Sequence, residues 1–191
     1  MSYATAQHDR MIASTVMPCV VVAVDLPAAM VRVKSGDWTS AWVRWHSQAA
    51  GKARQWRAPS LGEQGALISP SGEAAMGTFI AGLYGNAGAQ PDNRDHVEVW
   101  RFDDGGSLVY DWAAHSYTID LPAGNVTVKV GDSVLEITPD SMRLASGQIH
   151  LVGVVTIDGA TQINSTLNTT GDINSAGKVI DAGGNTANHK H

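Results

Sequence analysis

The chain has 191 residues, 43% hydrophobic and only 16% charged, with 20 glycines, one cysteine and a formal net charge of −5. That length holds one large or two small domains. The acidic balance, with no Lys/Arg cluster to replace phosphate counterions, argues against nucleic-acid binding, and a lone Cys19 rules out an intrachain disulfide and reads as a small buried hydrophobe.

From the N-terminus, Ala4 to Ser14 has the composition of a short helix with Met11 and Ile12 on its apolar side. Arg10 followed by the apolar run Val16 to Val24 faintly imitates a signal peptide. However, Pro18 interrupts the run, Asp25 ends it, and Leu26-Pro27-Ala28-Ala29-Met30 offers no convincing cleavage site. The run therefore reads as a strand, and the protein as one made without a signal peptide in the cytoplasm. Val16 to Val24 and Met30 to Lys34 form a hairpin around Leu26 to Ala29, and Trp38 to Trp45 gives a third strand. Ser47 to Ala58 is a polar loop carrying Lys52, Arg54 and Arg57. Ala66 to Ile68 and Thr78 to Tyr84 complete five short strands punctuated by glycine. Five strands with one long loop between the third and fourth fit a small barrel of OB type. Asn86 to Asp95, built of Gly, Ala, Pro, Asp and Asn, reads as a linker.

Beyond it, short runs follow one another for more than fifty residues: Leu108/Tyr110/Trp112, Tyr117/Ile119/Leu121, Val126/Val128/Val130, Leu135/Ile137, Met142/Leu144, Ile149/Leu151 and Val155/Ile157. Apolar residues two apart lie on one face of an extended strand, and Gly124-Asn125, Gly131-Asp132, Pro139-Asp140, Ser146-Gly147 and Asp158-Gly159 supply turns. One chain closes a core from such runs only with difficulty, because each offers a single narrow apolar face and leaves its edges unpaired. Several identical chains wound about a shared axis bury every face and pair every edge. An intertwined oligomeric β-prism is thus favoured over a monomeric β-sandwich.

Several pieces in order resemble one family. They are Val20 to Asp25 and Val31-Arg32-Val33 ahead of Trp42, then Trp56-Arg57-Ala58-Pro59-Ser60-Leu61-Gly62-Glu63-Gln64, and Ser69-Pro70-Ser71-Gly72-Glu73. Arg101-Phe102-Asp103-Asp104-Gly105 with Tyr110-Asp111 follows, and near the end come Thr170-Gly171-Asp172-Ile173, Ser175-Ala176-Gly177 and the terminal His189-Lys190-His191. This order resembles phage baseplate assembly protein V, the central spike of contractile-tailed phages and tail-like bacteriocins. The resemblance implies an all-β homotrimer with an N-terminal OB-fold barrel, an intertwined triple-stranded β-helix and a metal-bearing apex. The chain then divides into an N-terminal segment (1–14), an OB-fold domain (15–86), a linker (87–98), the trimeric β-helix (99–175) and the tip (176–191). The implied role is non-enzymatic: the OB end docks on the baseplate hub protein, and the tip is driven through the outer membrane of a Gram-negative cell. The implied location is the tail baseplate tip of a virion or tail-like particle.

His189 and His191 are the candidate metal ligands. Two apart in extended backbone, their imidazoles face one side, and a three-fold axis would gather six nitrogens, which suits an octahedral metal better than tetrahedral zinc. Taken alone, a terminal His-x-His is more often a tail than a ligand pair; the resemblance favours ligation and implies iron, one ion per trimer. The small residues Gly183 to Asn188 allow three backbones to approach closely. His8, His46, His96 and His115 have no partner at ligand spacing, and His150, between Ile149 and Leu151, reads as an exposed strand residue pointing away from their face.

Enzymatic readings fare worse. Gly171-Asp-Ile-Asn-Ser-Ala-Gly177-Lys178 has five residues between its glycines and Val179 where a phosphate loop needs Ser or Thr. Asp103, Asp104 and Asp111 could be imagined as glycosidase carboxylates, but Asp103-Asp104-Gly105-Gly106 has the composition of a turn. The chain has no Gly-x-Ser-x-Gly elbow. The alternative function is a tail-associated polysaccharide depolymerase, since trimeric β-helices also host glycosidases. Asn125, Asn164 and Asn168 head glycosylation-like triplets that read as chance matches. For most of Trp38, Trp42, Trp45, Trp56, Trp100 and Trp112 the expectation is core packing.

Overall fold

The computed structural model describes residues 3–180. After helix α1 (Tyr3–Ala13) come six strands: β1 (Val16–Asp25), β2 (Met30–Ser35), β3 (Trp38–Thr39), β4 (Val43–Trp45), β5 (Gln64–Ile68) and β6 (Thr78–Leu83). They pair in the order β1-β5-β6-β4-β2-β3, and a further β1–β2 pairing closes β1, β5, β6, β4 and β2 on themselves. This is a five-stranded barrel with β3 as an appendage. All neighbours are antiparallel except β4 and β6, which run parallel. The expected OB-type barrel is what the chain forms.

β1 serves two neighbours because it bends. Its first half pairs Val16 to Val20 with β5, its second half pairs Val20 to Asp25 with β2, and the register shifts by one between Val21 and Ala23. Such a bulge adds a residue to one strand and turns it sharply, as a small closed barrel requires. The hairpin to β2 is shaped by Asp25, whose Oδ1 accepts from the Ala28 N–H at 3.0 Å, and by Ala29 at φ 53°.

The buried core is Cys19, Val21, Val31, Val33, Val43, Leu67 and Phe79, all from barrel strands. Cys19 and Val21, like Val31 and Val33, are two apart and share the inner face. The one large ring, Phe79, fits because Gly65 on the paired strand has no Cβ; one there would run into the Phe79 ring and the Ile80 carbonyl. Burial also pushes the Cys19 thiol up, as expected of a packed hydrophobe.

Three local expectations need correction. The single strand Trp38 to Trp45 is two, β3 and β4, because Ser40 is buried between them and takes over the ladder. Its Oγ accepts from the Val33 N–H at 3.0 Å, its own N–H donates to Val33 O at 2.9 Å, and its carbonyl accepts from Arg32 Nε at 3.0 Å. The apolar side expected of α1 at Met11 and Ile12 is exposed, and the helix has no buried residue. The tryptophans are mostly outside: Trp38, Trp42, Trp56, Trp100 and Trp112 are exposed, and only Trp45 packs partly against the core. A barrel this narrow is filled by valines, one leucine, one cysteine and one phenylalanine, leaving no room for indoles.

The loop between β4 and β5 is ordered by its own bonds. Ser47 Oγ donates to Ala49 O and Gln55 O at 3.1 and 2.8 Å, and the Gln55 N–H donates to Ala49 O at 2.9 Å. Arg57 then closes a two-pronged pair on Glu63 at 2.6 and 2.9 Å, and the Ser60 N–H donates to the same carboxylate at 2.9 Å. Glu63 is buried, and three donors meet its carboxylate, as a buried polar group requires.

Beyond the barrel lie β7 (Val97–Arg101), β8 (Ser107–Asp111) and β9 (Ser116–Asp120), an antiparallel meander, and then β10 (Val126–Val130), β11 (Ser133–Ile137) and β12 (Met142–Ala145), a second one. The chain divides into two compact units between Asn125 and Val126. The runs Ile149/Leu151 and Val155/Ile157, expected as strands, form none, and every residue from 146 to 180 is exposed. A strand needs a partner, and this stretch finds none among the described residues.

Candidate assembly surface and tip residues

Each meander has one apolar and one polar face, and register fixes which residues share them. In β10–β12, Val126 opposes Ile137, Val128 opposes Leu135, and these in turn oppose Met142 and Leu144. With Val130, the seven make an unbroken aliphatic face. The other face carries Thr127, Lys129, Glu136 and Arg143, with Val134 and Ala145 among them. In β7–β9 the pairs Trp100–Leu108–Ile119 and Glu98–Tyr110–Tyr117 share a face. There Glu98, Trp100, Leu108, Tyr110 and Tyr117 line a shallow groove. The Tyr110 and Tyr117 rings lie 6.4 Å apart, and Trp100 Nε1 donates to Glu98 Oε1 at 3.2 Å.

None of these apolar side chains belongs to the buried core. Val130 is 78% exposed, Met142 72% and Leu144 53%, and further on Val154 reaches 98%. Scattered surface apolar residues are ordinary, but contiguous faces of this kind mark an interaction surface. What the arrangement offers chemically is area to bury and strand edges to pair.

The predicted metal ligands His189 and His191 lie outside the described residues. Among the described residues no group of three or more His, Cys, Asp and Glu side chains could hold a metal ion. The aspartates weighed as glycosidase carboxylates serve turns: Asp104 Oδ1 accepts from the Gly106 N–H at 2.9 Å, and Asp111 Oδ1 accepts from the Ala113 and Ala114 N–H groups at 3.0 and 2.9 Å. Those backbone bonds, with nearby His96 and Arg94, hold the Asp111 carboxyl below its usual range. Residues 171–178 contain no helix. No helix among the described residues is long and apolar enough to cross a membrane.

Two features escaped sequence reasoning. One is the Arg57–Glu63 pair; the other is Arg94, whose guanidinium bridges Asp92 and Asp111 at 2.8 and 3.1 Å. Only the strand register reveals the second, since Arg94 and Asp111 are seventeen positions apart.

A closed OB barrel followed by β-meanders with open apolar faces defines an assembly subunit. Comparison with known proteins finds likenesses for both parts. Residues 17–84 match the family described as the Type VI secretion system/phage-baseplate injector OB domain, and residues 98–175 match the Gp138 beta helical trimerization domain. Over 185 residues the chain is 26% identical to the spike protein of Escherichia phage P2, an alignment covering 90% of this chain and 84% of that protein. Along most of its length the chain is thus similar to phage baseplate injector, trimerization and spike proteins.

Proposed function

We propose that three copies of this chain wind together into a homotrimeric, non-enzymatic spike at the baseplate tip of a contractile tail or tail-like particle. The OB barrels dock on the baseplate hub, and the C-terminal end leads through the outer membrane of a Gram-negative cell. The observation that carries the trimer is the set of uncovered apolar faces on β7–β9 and β10–β12, together with exposed, unpaired residues 146–180. All but Val97 and residues 176–180 of these lie within the span that matches a trimerization domain. Neighbouring copies supply both missing components, apolar cover and strand partners. The turn duties of Asp104 and Asp111 favour the mechanical reading over a depolymerase, which needs free paired carboxylates in a cleft.

At the apex, His189 and His191 of each copy would hold one iron ion. Two imidazoles per chain give six across a trimer, a donor set that suits iron in octahedral geometry. Bound there, the metal would crosslink three chain ends where little core can form. The test is elemental analysis of tag-free protein purified without a nickel column, beside its native mass. One iron per three chains in a trimer-mass particle is the expected result. One metal atom per chain, or none, overturns the apex. A monomer overturns the spike, and release of reducing sugar from envelope polysaccharide would favour the depolymerase.

A further inference from the structure

The segment joining barrel to β7 has the composition of a loose tether, Gly85-Asn-Ala-Gly-Ala-Gln-Pro-Asp-Asn-Arg94. Its bonding says otherwise at both ends. At the barrel end Gly85 and Gly88 exchange N–H to carbonyl bonds at 3.0 and 3.1 Å, making a closed turn. That turn is seated on the barrel. Gly85 lies directly against the Gln64 side-chain amide, which a Cβ there would have to displace, and Ala87 lies over Gly62, 3.6 Å from where a Cβ there would stand.

At the sheet end Asp92 and Arg94 form a compact knot. Asp92 Oδ1 accepts from the N–H groups of Asn93 and Arg94 at 2.8 and 2.9 Å and from Arg94 Nε at 3.1 Å, while Oδ2 takes Arg94 Nη2 at 2.8 Å. The remaining arm, Nη1, reaches Asp111 Oδ2 at 3.1 Å at the end of β8. Asp111 is itself fixed by its two turn amides, and the Trp112 N–H donates to His96 O at 3.2 Å just beyond the knot. Between the two anchors only Ala89, Gln90 and Pro91 remain, and proline restricts its own φ.

We propose that this connection is a latched strut, clipped to the barrel through Gly62 and Gln64 and to the β8 end through the Asp92–Arg94–Asp111 bridge. The planar guanidinium suits the task because its fork engages one carboxylate with two nitrogens and still presents a third to the other. The strut holds the barrel in fixed relation to the first sheet of the trimerization domain, and the inference stands on this geometry whether or not the spike reading holds.

The test is limited trypsinolysis of the full chain, since Arg94 is itself a cleavage site. Asp111→Asn keeps an Oδ1 acceptor for Ala113 and Ala114 and replaces the oxygen facing Arg94 by an amide donor, so it opens the latch and spares the turn. Cleavage after Arg94 is expected to rise roughly two- to fivefold, the range for one exposed charge pair. Cleavage after Lys52, in the self-bonded loop, is expected to stay constant. The difference between wild type and variant should shrink in about 1 M salt, where the screening length falls to about 3 Å. An unchanged rate at Arg94, or equal acceleration at Arg94 and Lys52, overturns the latch.

Discussion

Leu144→Asp tests the assembly surface at a single side chain. Leu144 stands on the aliphatic face of β10–β12 opposite Leu135 and is 53% exposed in the single chain. Covering a whole leucine is worth about 1.5–3 kcal/mol, so burying the remaining half gains about 1 kcal/mol per copy, or about 3 kcal/mol per trimer. Aspartate forfeits that gain and places three carboxylates in the interface, each costing several kcal/mol to desolvate without a partner. The sum passes about 10 kcal/mol, roughly seven orders of magnitude in the association equilibrium at 1.4 kcal/mol per decade. Light scattering after size exclusion should therefore report wild type at trimer mass and the variant at monomer mass, at micromolar concentration. Lys129→Ser, on the opposite face of the same sheet, is the control and should remain trimeric. A trimeric Leu144→Asp protein, or dissociation by Lys129→Ser as well, would refute the assignment of the aliphatic face to the trimer core.

Two further outcomes follow from the first unit. Phe79→Ala empties the barrel's largest buried site and should cost about 3–5 kcal/mol, lowering the barrel's melting midpoint by more than about 10 °C for a domain of this size. Circular dichroism checks it, and an unchanged midpoint would mean the ring is not the keystone of the core. The latch should also show in acid. The Asp92 and Asp111 carboxyls are held below the ordinary range, Asp92 mainly by its bonds from Arg94 and Asp111 mainly by the Ala114 N–H, with Asp95 and His96 the other titratable neighbours. A carboxyl lowered on folding contributes stability above its unfolded value, about 3.9, and loses it as pH falls through the folded value. The stability difference between wild type and Asp111→Asn should thus be level from pH 7 to about 4 and shrink below it. A difference that grows in acid would reverse the sign and the assignment.

The barrel was legible from sequence because its strands carry their own signals: alternation at Cys19/Val21 and Val31/Val33, a turn-forming Leu26 to Ala29, and a polar loop of the right length before β5. The break within Trp38 to Trp45 was not, because a serine replacing a backbone ladder looks in sequence like any strand serine. Nor were the exposed indoles, since a tryptophan's identity tells how much area it can bury, not whether a five-stranded barrel has room for it. Arg94 was illegible for a different reason: its meeting with Asp111 exists only once β7, β8 and β9 adopt their register.

The stretch from Ile149 to Ile157 shows where the two-residue period stops being informative about one chain. Alternation reports which side chains share a face, and it does so equally well in β10, where β11 lies alongside, and after Ala145, where no strand among the described residues does. The apolar side chains of both regions remain uncovered. Two-residue periodicity without a partner among the described residues is therefore the pattern that an intermolecular fold would leave in a sequence. A sequence selected only to cover its own core would gain nothing from placing Ile149, Leu151, Val155 and Ile157 in that phase, because solvent rewards neither the alternation nor the apolar surface.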